Sequence, residues 1–299
     1  MKTLTAEKLL SLAILAFLLL ALVTCGGGNS SSSVVTSGAL SGNWQFTLTQ
    51  NYPIQQNPAP IPVAGFLTET KNSLTGSLEV PILGLNSNCA GVSSATGTVS
   101  GQNVTIAINN GGNVLTLTGA LASDNTSMTG TYQALGGACF TTPTTGSWTA
   151  ILIPPVNGSF TGTLTGSTYM QALTGVTPPA PIVVSGTMTQ SANFGASNAT
   201  LTGTMTATGY PCFTTASLSG TVSGQSIILT IFAYNGNPIG TTGNWSVAPP
   251  SASSGLGISG GTLALGSGVG ASTVGPCPLI GFGGSAQASD NVSVTLTFH

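Results

Sequence analysis

The hexapeptide GTVSGQ occurs twice, at 97–102 and at 220–225, and each time a cysteine stands eight residues before its first glycine: Cys89 before Gly97, and Cys212 before Gly220. Two further cysteines precede a Gly-Ser pair by seven residues, Cys139 before Gly146-Ser147 and Cys277 before Gly284-Ser285. The spacing after the four cysteines therefore alternates eight, seven, eight, seven. Upstream the cadence continues: LTGS (74–77), MTGT (128–131) and LTGT (201–204) precede the first three cysteines, and 128–142 aligns without a gap on 201–215, both ending in CFTT. The segment before Cys277, GGTLALGSGVG, is a weaker copy. This is a two-unit module written twice, each unit a strand, a cysteine-bearing loop and a strand. The repeats exceed the 20–50 residues of solenoid arrays. The expected division is 41–154 and 155–299, with a boundary at IPPVNGS (153–159), where two prolines break strand pairing and Asn-Gly supplies a turn.

Within each copy the pattern is that of strands. Glycine recurs too often for helix interiors, which it weakens by about 1 kcal/mol per residue. WQFTLTQ (44–50), PVAGFLTET (62–70), SLTGSLEV (73–80), TGTVS (96–100), VTIAI (104–108), VLTLTG (114–119), SMTGTYQA (127–134) and SWTAILI (147–153) place apolar residues near period two. Turn chemistry at Lys71-Asn72, Gly101-Gln102, Asn110-Gly111-Gly112 and Asp124-Asn125 separates them. The expected fold is all-β: two tandem eight-strand antiparallel meanders, each closing as a barrel or a sandwich. The second copy repeats the early strands through IILTIFAY, loses the pattern after Trp245, and recovers it at NVSVTLTF (291–298).

Charge narrows the function. Of 299 residues 41% are hydrophobic, enough for packed cores, but only 3% are charged and none is arginine. Phosphate neutralisation needs many basic groups, so nucleic acid is excluded as a partner, as is a polybasic membrane contact. The single histidine is His299, the last residue, a poor place to build a catalytic triad. No Cys-x-x-Cys exists to hold zinc. At Ser123–Thr126 one carboxylate is too few for calcium, and an Asp-Asn turn explains it. Glu69 and Glu79 flank one hairpin, but a four-residue stagger separates them by about 13 Å, beyond what glycosidase carboxylates need. They are expected to face solvent, with Lys71 beside Glu69. The composition thus points away from an enzyme and implies no cofactor or metal.

The N-terminus reads as an address. Lys2 and Lys8 precede an apolar run, Leu9 to Val23, broken only by Ser11 and ending in LVTCGGGNSSSS. The run is shorter than the roughly 20 residues of a membrane-spanning helix and fits a signal peptide. Its end resembles a bacterial lipoprotein signal. The resemblance implies a signal peptide at 1–24, lipidation at Cys25, a tether from Cys25 to Leu40, and, with Gly26 following the cysteine, an outer-membrane location. Two or more acyl chains suffice for stable anchoring.

All three tryptophans stand in Gly-x-Trp, at 42–44, 146–148 and 243–245. Gly42-Asn43-Trp44 opening a first strand, followed by LTGS and MTGTY in later ones, resembles the calycin pattern of avidins and lipocalins. That resemblance implies an eight-stranded barrel with a tryptophan across one end and a small ligand at the other. Unlike lipocalins, the chain has no arginine to lie over the tryptophan.

In a meander the loops after odd-numbered strands share one end. Those after strands one, three and seven, at 51–61, 81–92 and 135–145, are the long ones, so Cys89 and Cys139 belong to the same end. An exported chain meets an oxidising compartment. A duplicated module should duplicate its bond, which predicts Cys89–Cys139 and Cys212–Cys277. The leading functional expectation is a lipid-anchored envelope protein that binds or displays. A glycan or other small ligand would meet the long loops, with Tyr52, Gln55 and Phe140 as contacts. A ligand-free structural spacer and an integral outer-membrane barrel are the alternatives.

Overall fold

A computed structural model describes residues 38–51, 60–80, 91–110, 112–135, 144–191, 195–234, 238–248, 257–265, 277–278, 287–288 and 290–299. Cys25, Tyr52, Gln55, Cys89, Cys139 and Phe140 lie outside them, and from 233 to 289 only backbone is considered.

Eight strands form the first barrel: β1 (Gly42–Gln50), β2 (Ile61–Thr70), β3 (Ser73–Val80), β4 (Gly91–Ser100), β5 (Asn103–Asn110), β6 (Asn113–Leu121), β7 (Ser127–Ala134) and β8 (Thr144–Ile153). Each pairs antiparallel with the next, and β8 returns to β1. The second barrel comprises β9 (Gly158–Thr165), β10 (Ile182–Gln190), β11 (Ala199–Ala207), β12 (Thr215–Ser223), β13 (Ser226–Tyr234), β14 (Pro238–Ala248), β15 (Gly257–Leu265) and β18 (Asp290–Phe298), which closes on β9. One helix, α1 (Thr168–Thr174), lies between β9 and β10. A two-residue ladder, β16 (Cys277–Pro278) with β17 (Gln287–Ala288), lies between β15 and β18. The closure is thus a barrel and not a sandwich. The cysteines at 89, 139, 212 and 277 fall after the third or seventh strand of their barrel, so the module read in the sequence corresponds to four strands.

The recurring words explain the curvature. LTGA (117–120) and MTGT (128–131) put Leu117 and Met128 inward and threonines outward. Their glycines, Gly119 and Gly130, then pair directly across β6 and β7. A methyl on Gly130 would fall 2.1 Å from Thr118 O and 2.6 Å from Gly119 Cα, so only glycine permits the strands to coil this tightly. The bare patch is covered by Trp148, whose Nε1 donates to Thr131 O at 3.0 Å and, more weakly, to Thr118 O at 3.3 Å.

The outer face of the first barrel carries hydroxyls in place of charges. One exposed row passes through Thr70, Ser73, Thr98, Thr105, Thr118, Thr131, Ser147 and Thr49, each paired with the next. Because Leu48 pairs with Ile61, the row meets β2 again at position 60, ten residues from its start (70 against 60). An eight-strand sheet with such a stagger tilts its strands by about 40° and leaves an interior that side chains just fill. Trp44, Phe46, Leu48, Leu74, Leu78, Ile106, Leu117 and Trp148 fill it here.

The two barrels belong to one compact unit, Val35–His299. The Gly224-Gln225 turn is bonded to Asn43 and Gln45 of β1. Ser77 Oγ donates to Gly195 O at 2.8 Å. In the connection, Val156 is buried and its N–H donates to Gln190 Oε1 at 2.9 Å.

Two expectations are corrected. The reach of a flexible tether to Leu40 fails at its end: Gly38–Leu40 is a turn, and Leu40 is 0% exposed in the barrel core. Glu69 does not face solvent. It is 7% exposed because that turn covers it, and only Glu79 lies on the outer face.

Candidate functional site

Each barrel has an end held by a buried carboxylate, Glu69 where β1 begins in the first and Asp290 at the opposite, loop end in the second. In the first barrel, Leu40 N donates to Glu69 Oε2 at 3.1 Å, Glu69 N donates to Ser41 Oγ at 2.9 Å, and Trp44 Nε1 donates to Leu40 O at 2.9 Å. The chain entering β1 is thereby folded under the barrel as a plug. Glu69 pairs with Leu74, whereas Glu79 pairs with Ala64, five residues away along β2 and on the opposite face. The two carboxylates cannot act on one bond.

In the second barrel the loop end is the filled one. Asp290, 1% exposed at the start of β18, accepts four hydrogen bonds: from Ser167 Oγ at 2.6 Å, Thr168 Oγ1 at 3.0 Å, Tyr169 N at 3.0 Å and Tyr210 Oη at 2.5 Å. These donors come from the start of α1 and from the β11–β12 loop, so one carboxylate ties both across the mouth. Tyr210 packs edge-on against Phe213 at 5.2 Å, and both are buried with Cys212 between them. Cys212 is half of a disulfide whose partner lies outside the described side chains. Sequence reasoning missed this cluster. Its helix was signalled by Ser167, which caps α1 by accepting from Met170 N, and by Gly175 in the left-handed conformation after it.

Burial, reinforced by the hydrogen bond and charge of Asp290, pushes the Tyr210 hydroxyl far above its ordinary pKa, and burial with the Asp290 charge raises Tyr169. A raised folded-state pKa contributes stability that is complete while the unfolded tyrosine is still protonated. That contribution is lost as pH rises beyond the unfolded value of about 10. Urea midpoints are therefore expected to be flat up to about pH 9.5 and to fall above it, with a shallower alkaline fall in Tyr210→Phe.

The first barrel carries no such filling among the described residues at its loop end. There Ser93 on β4, buried and inward-facing, has no partner for its Oγ. Asn113 is buried in the same rim, at the start of β6. On the outside of this end a groove of about 390 Å³ is lined by Asn51, Thr116, Thr118, Thr131, Gln133 and Thr145 over Tyr132 and Gly146. Every lining group is uncharged. The connections that hold Tyr52 and Gln55 (after β1), Cys89 (after β3) and Phe140 and Cys139 (after β7) leave from this end by topology, although those residues themselves are outside the described set.

The other residues fall where simple chemistry puts them. Asp124 Oδ1 accepts from Thr126 N at 2.9 Å, Asn125 has φ 60, and the backbone bond holds the Asp124 carboxyl below its ordinary pKa, as in a hairpin turn. His299 Nε2 lies 2.9 Å from Thr161 Oγ1. Among the described residues no group of three His, Cys, Asp or Glu is placed to hold a metal ion, and no helix is long and apolar enough to cross a membrane. No protein-family model, curated protein or solved structure matches this chain.

Proposed function

We propose that the protein is a lipid-anchored envelope component that binds, without catalysis, an uncharged hydroxyl-rich ligand such as a glycan at the loop end of its first barrel. The observation that carries this reading is the orphan Ser93 hydroxyl. An unpaired buried hydroxyl costs about 1–3 kcal/mol, a cost that a ligand entering the barrel mouth would offset. The neutral groove on the outer face of the same end, along β6 to β8, supplies further donors and acceptors without charge. Tyr52, Gln55 and Phe140 are the proposed contacts from the loops above. The Cys89–Cys139 bridge is the proposed tie between two of those loops, with Cys212–Cys277 its counterpart in the second barrel.

A glycan array probed with the intact chain tests the reading. Ser93→Ala is expected to lose at least fivefold in affinity for whichever glycan binds, while its stability is unchanged or higher. An array without binders would turn the assignment toward a structural spacer.

The anchor is tested separately. Cys25→Ser is expected to accumulate as uncleaved precursor and to take up no fatty-acid analogue. Normal processing of that variant would remove the lipoprotein reading and leave the barrel mouth unaffected.

A further inference from the structure

Three of the hydrogen bonds between the two barrels are made by two short elements, and each element is written a second time elsewhere in the chain. The donor is the turn that ends the second GTVSGQ. Gly224 N donates to Asn43 Oδ1 at 2.6 Å, Asn43 Nδ2 donates to Gly224 O at 2.9 Å, and Gln225 N donates to Gln45 Oε1 at 3.0 Å. Asn43 is 2% exposed, so its amide is committed to the turn. A Cβ on Gly224 would fall 2.3 Å from Gln45 Oε1 and 2.6 Å from Ala64 Cβ, and only glycine allows this approach.

The first GTVSGQ ends in Gly101-Gln102, and its turn has the same conformation, with φ 61 at Gly101 against 54 at Gly224. Here nothing lies within 4 Å of the Cβ position, and both residues are exposed. The acceptor, Gly42-Asn43-Trp44, is likewise repeated as Gly243-Asn244-Trp245 within β14. The register sets Asn244 opposite Ile228, which is 48% exposed on the outside of the second barrel. The first strand of that barrel offers no equivalent acceptor. Ser159 and Thr161 stand where β1 has Asn43 and Gln45, and Thr161 is bonded to His299.

We propose that the Gly101-Gln102 turn of one chain docks on the Gly243-Asn244-Trp245 segment of a second copy. The two copies then repeat, between molecules, the contact that joins the barrels within one. Such a contact is heterologous: one copy of a pair keeps its donor turn and the other keeps its acceptor segment, so association continues head to tail. Ser246 stands where the first barrel has Gln45, so the repeated contact is expected to be weaker than the original and the association weak in dilute solution.

Sedimentation equilibrium of the full-length chain in detergent, from micromolar to about millimolar concentration, tests the proposal. The wild type is expected to rise in mass beyond a dimer. Gly101→Asn, a residue that tolerates the left-handed conformation but fills the space the acceptor needs, is expected to remain a monomer. Asn244→Ala, on a strand remote from that turn, is expected to weaken association at least tenfold. Thermal melting equal to wild type confirms that each variant is folded. A wild type that stays monomeric throughout, or a folded Asn244→Ala that associates as wild type does, overturns the proposal.

Discussion

Asp290→Ala is expected to cost about 3–5 kcal/mol, the largest loss from any single polar residue among those described. The side chain is buried and accepts four hydrogen bonds, three of them from Ser167 Oγ, Tyr169 N and Tyr210 Oη, which are themselves buried. Hydrogen bonds to a charged acceptor contribute about 1.5–3 kcal/mol each, and removing the acceptor leaves donors with neither water nor partner. The cost is concentrated at the mouth of the second barrel. Protection of the α1 and 208–214 amides from hydrogen exchange should therefore fall further than that of the first barrel. Asp290→Asn keeps the shape and one acceptor oxygen, and is expected to lose about half as much. Equilibrium urea unfolding of the three proteins orders them. An alanine variant within 1 kcal/mol of wild type would mean that water replaces the carboxylate and that the cluster does not hold the mouth.

Trp44→Ala is expected to be comparably damaging to the first barrel, at about 3–5 kcal/mol. The indole is fully buried and fills the plugged end. Its Nε1 also fixes Leu40 O, so its loss releases the Gly38–Ser41 turn that covers Glu69. Trp44→Phe retains most of the packing and loses the hydrogen bond, and is expected to cost about 1–2 kcal/mol. The two variants separate cavity from latch. Limited proteolysis near residue 38 should rise in both, whereas the denaturation midpoint should fall steeply only in the alanine variant.

The strand pattern was legible because this sheet obeys period two with few exceptions. β3 and β7 fall on the expected residues, and the other strands of the first barrel extend only at their ends. The cysteine cadence located the four-strand unit, since a loop position after the third strand of each unit survives duplication. Barrel was not separable from sandwich by alternation, which both share; the ten-residue stagger decides it and exists only in the register. Glu69 was misread for a related reason. Solvent exposure is the ordinary fate of a glutamate in a two-faced strand, and nothing in SLTGSLEV or FLTET shows that residues 38–41 fold back beneath Glu69. Asp290 was missed because its donors lie 80 or more residues away in sequence. α1 is short, and a Thr/Gly-rich background concealed its two capping residues.

The closing seam of each barrel has a consequence in time. In the first barrel seven of the eight strand pairings join neighbours in sequence and can form as local hairpins, whereas β1–β8 joins Asn43 to Ile153. Loop-closure entropy grows only logarithmically, so closing this seam costs roughly 3 kcal/mol more than a short hairpin turn, but such distant contacts slow folding far more than they weaken it. Both seams are lined with rings, Phe46 against Trp148 at 5.9 Å and Phe160 against Phe298 at 5.5 Å. Until its last strand arrives, each barrel presents an apolar first strand with one unpaired edge, which is the surface that invites pairing with another chain. A chain that emerges N-terminus first from synthesis passes through that exposed condition twice. The aromatic pair across each seam gives the late strand a strong reason to settle on its own barrel before another edge reaches it.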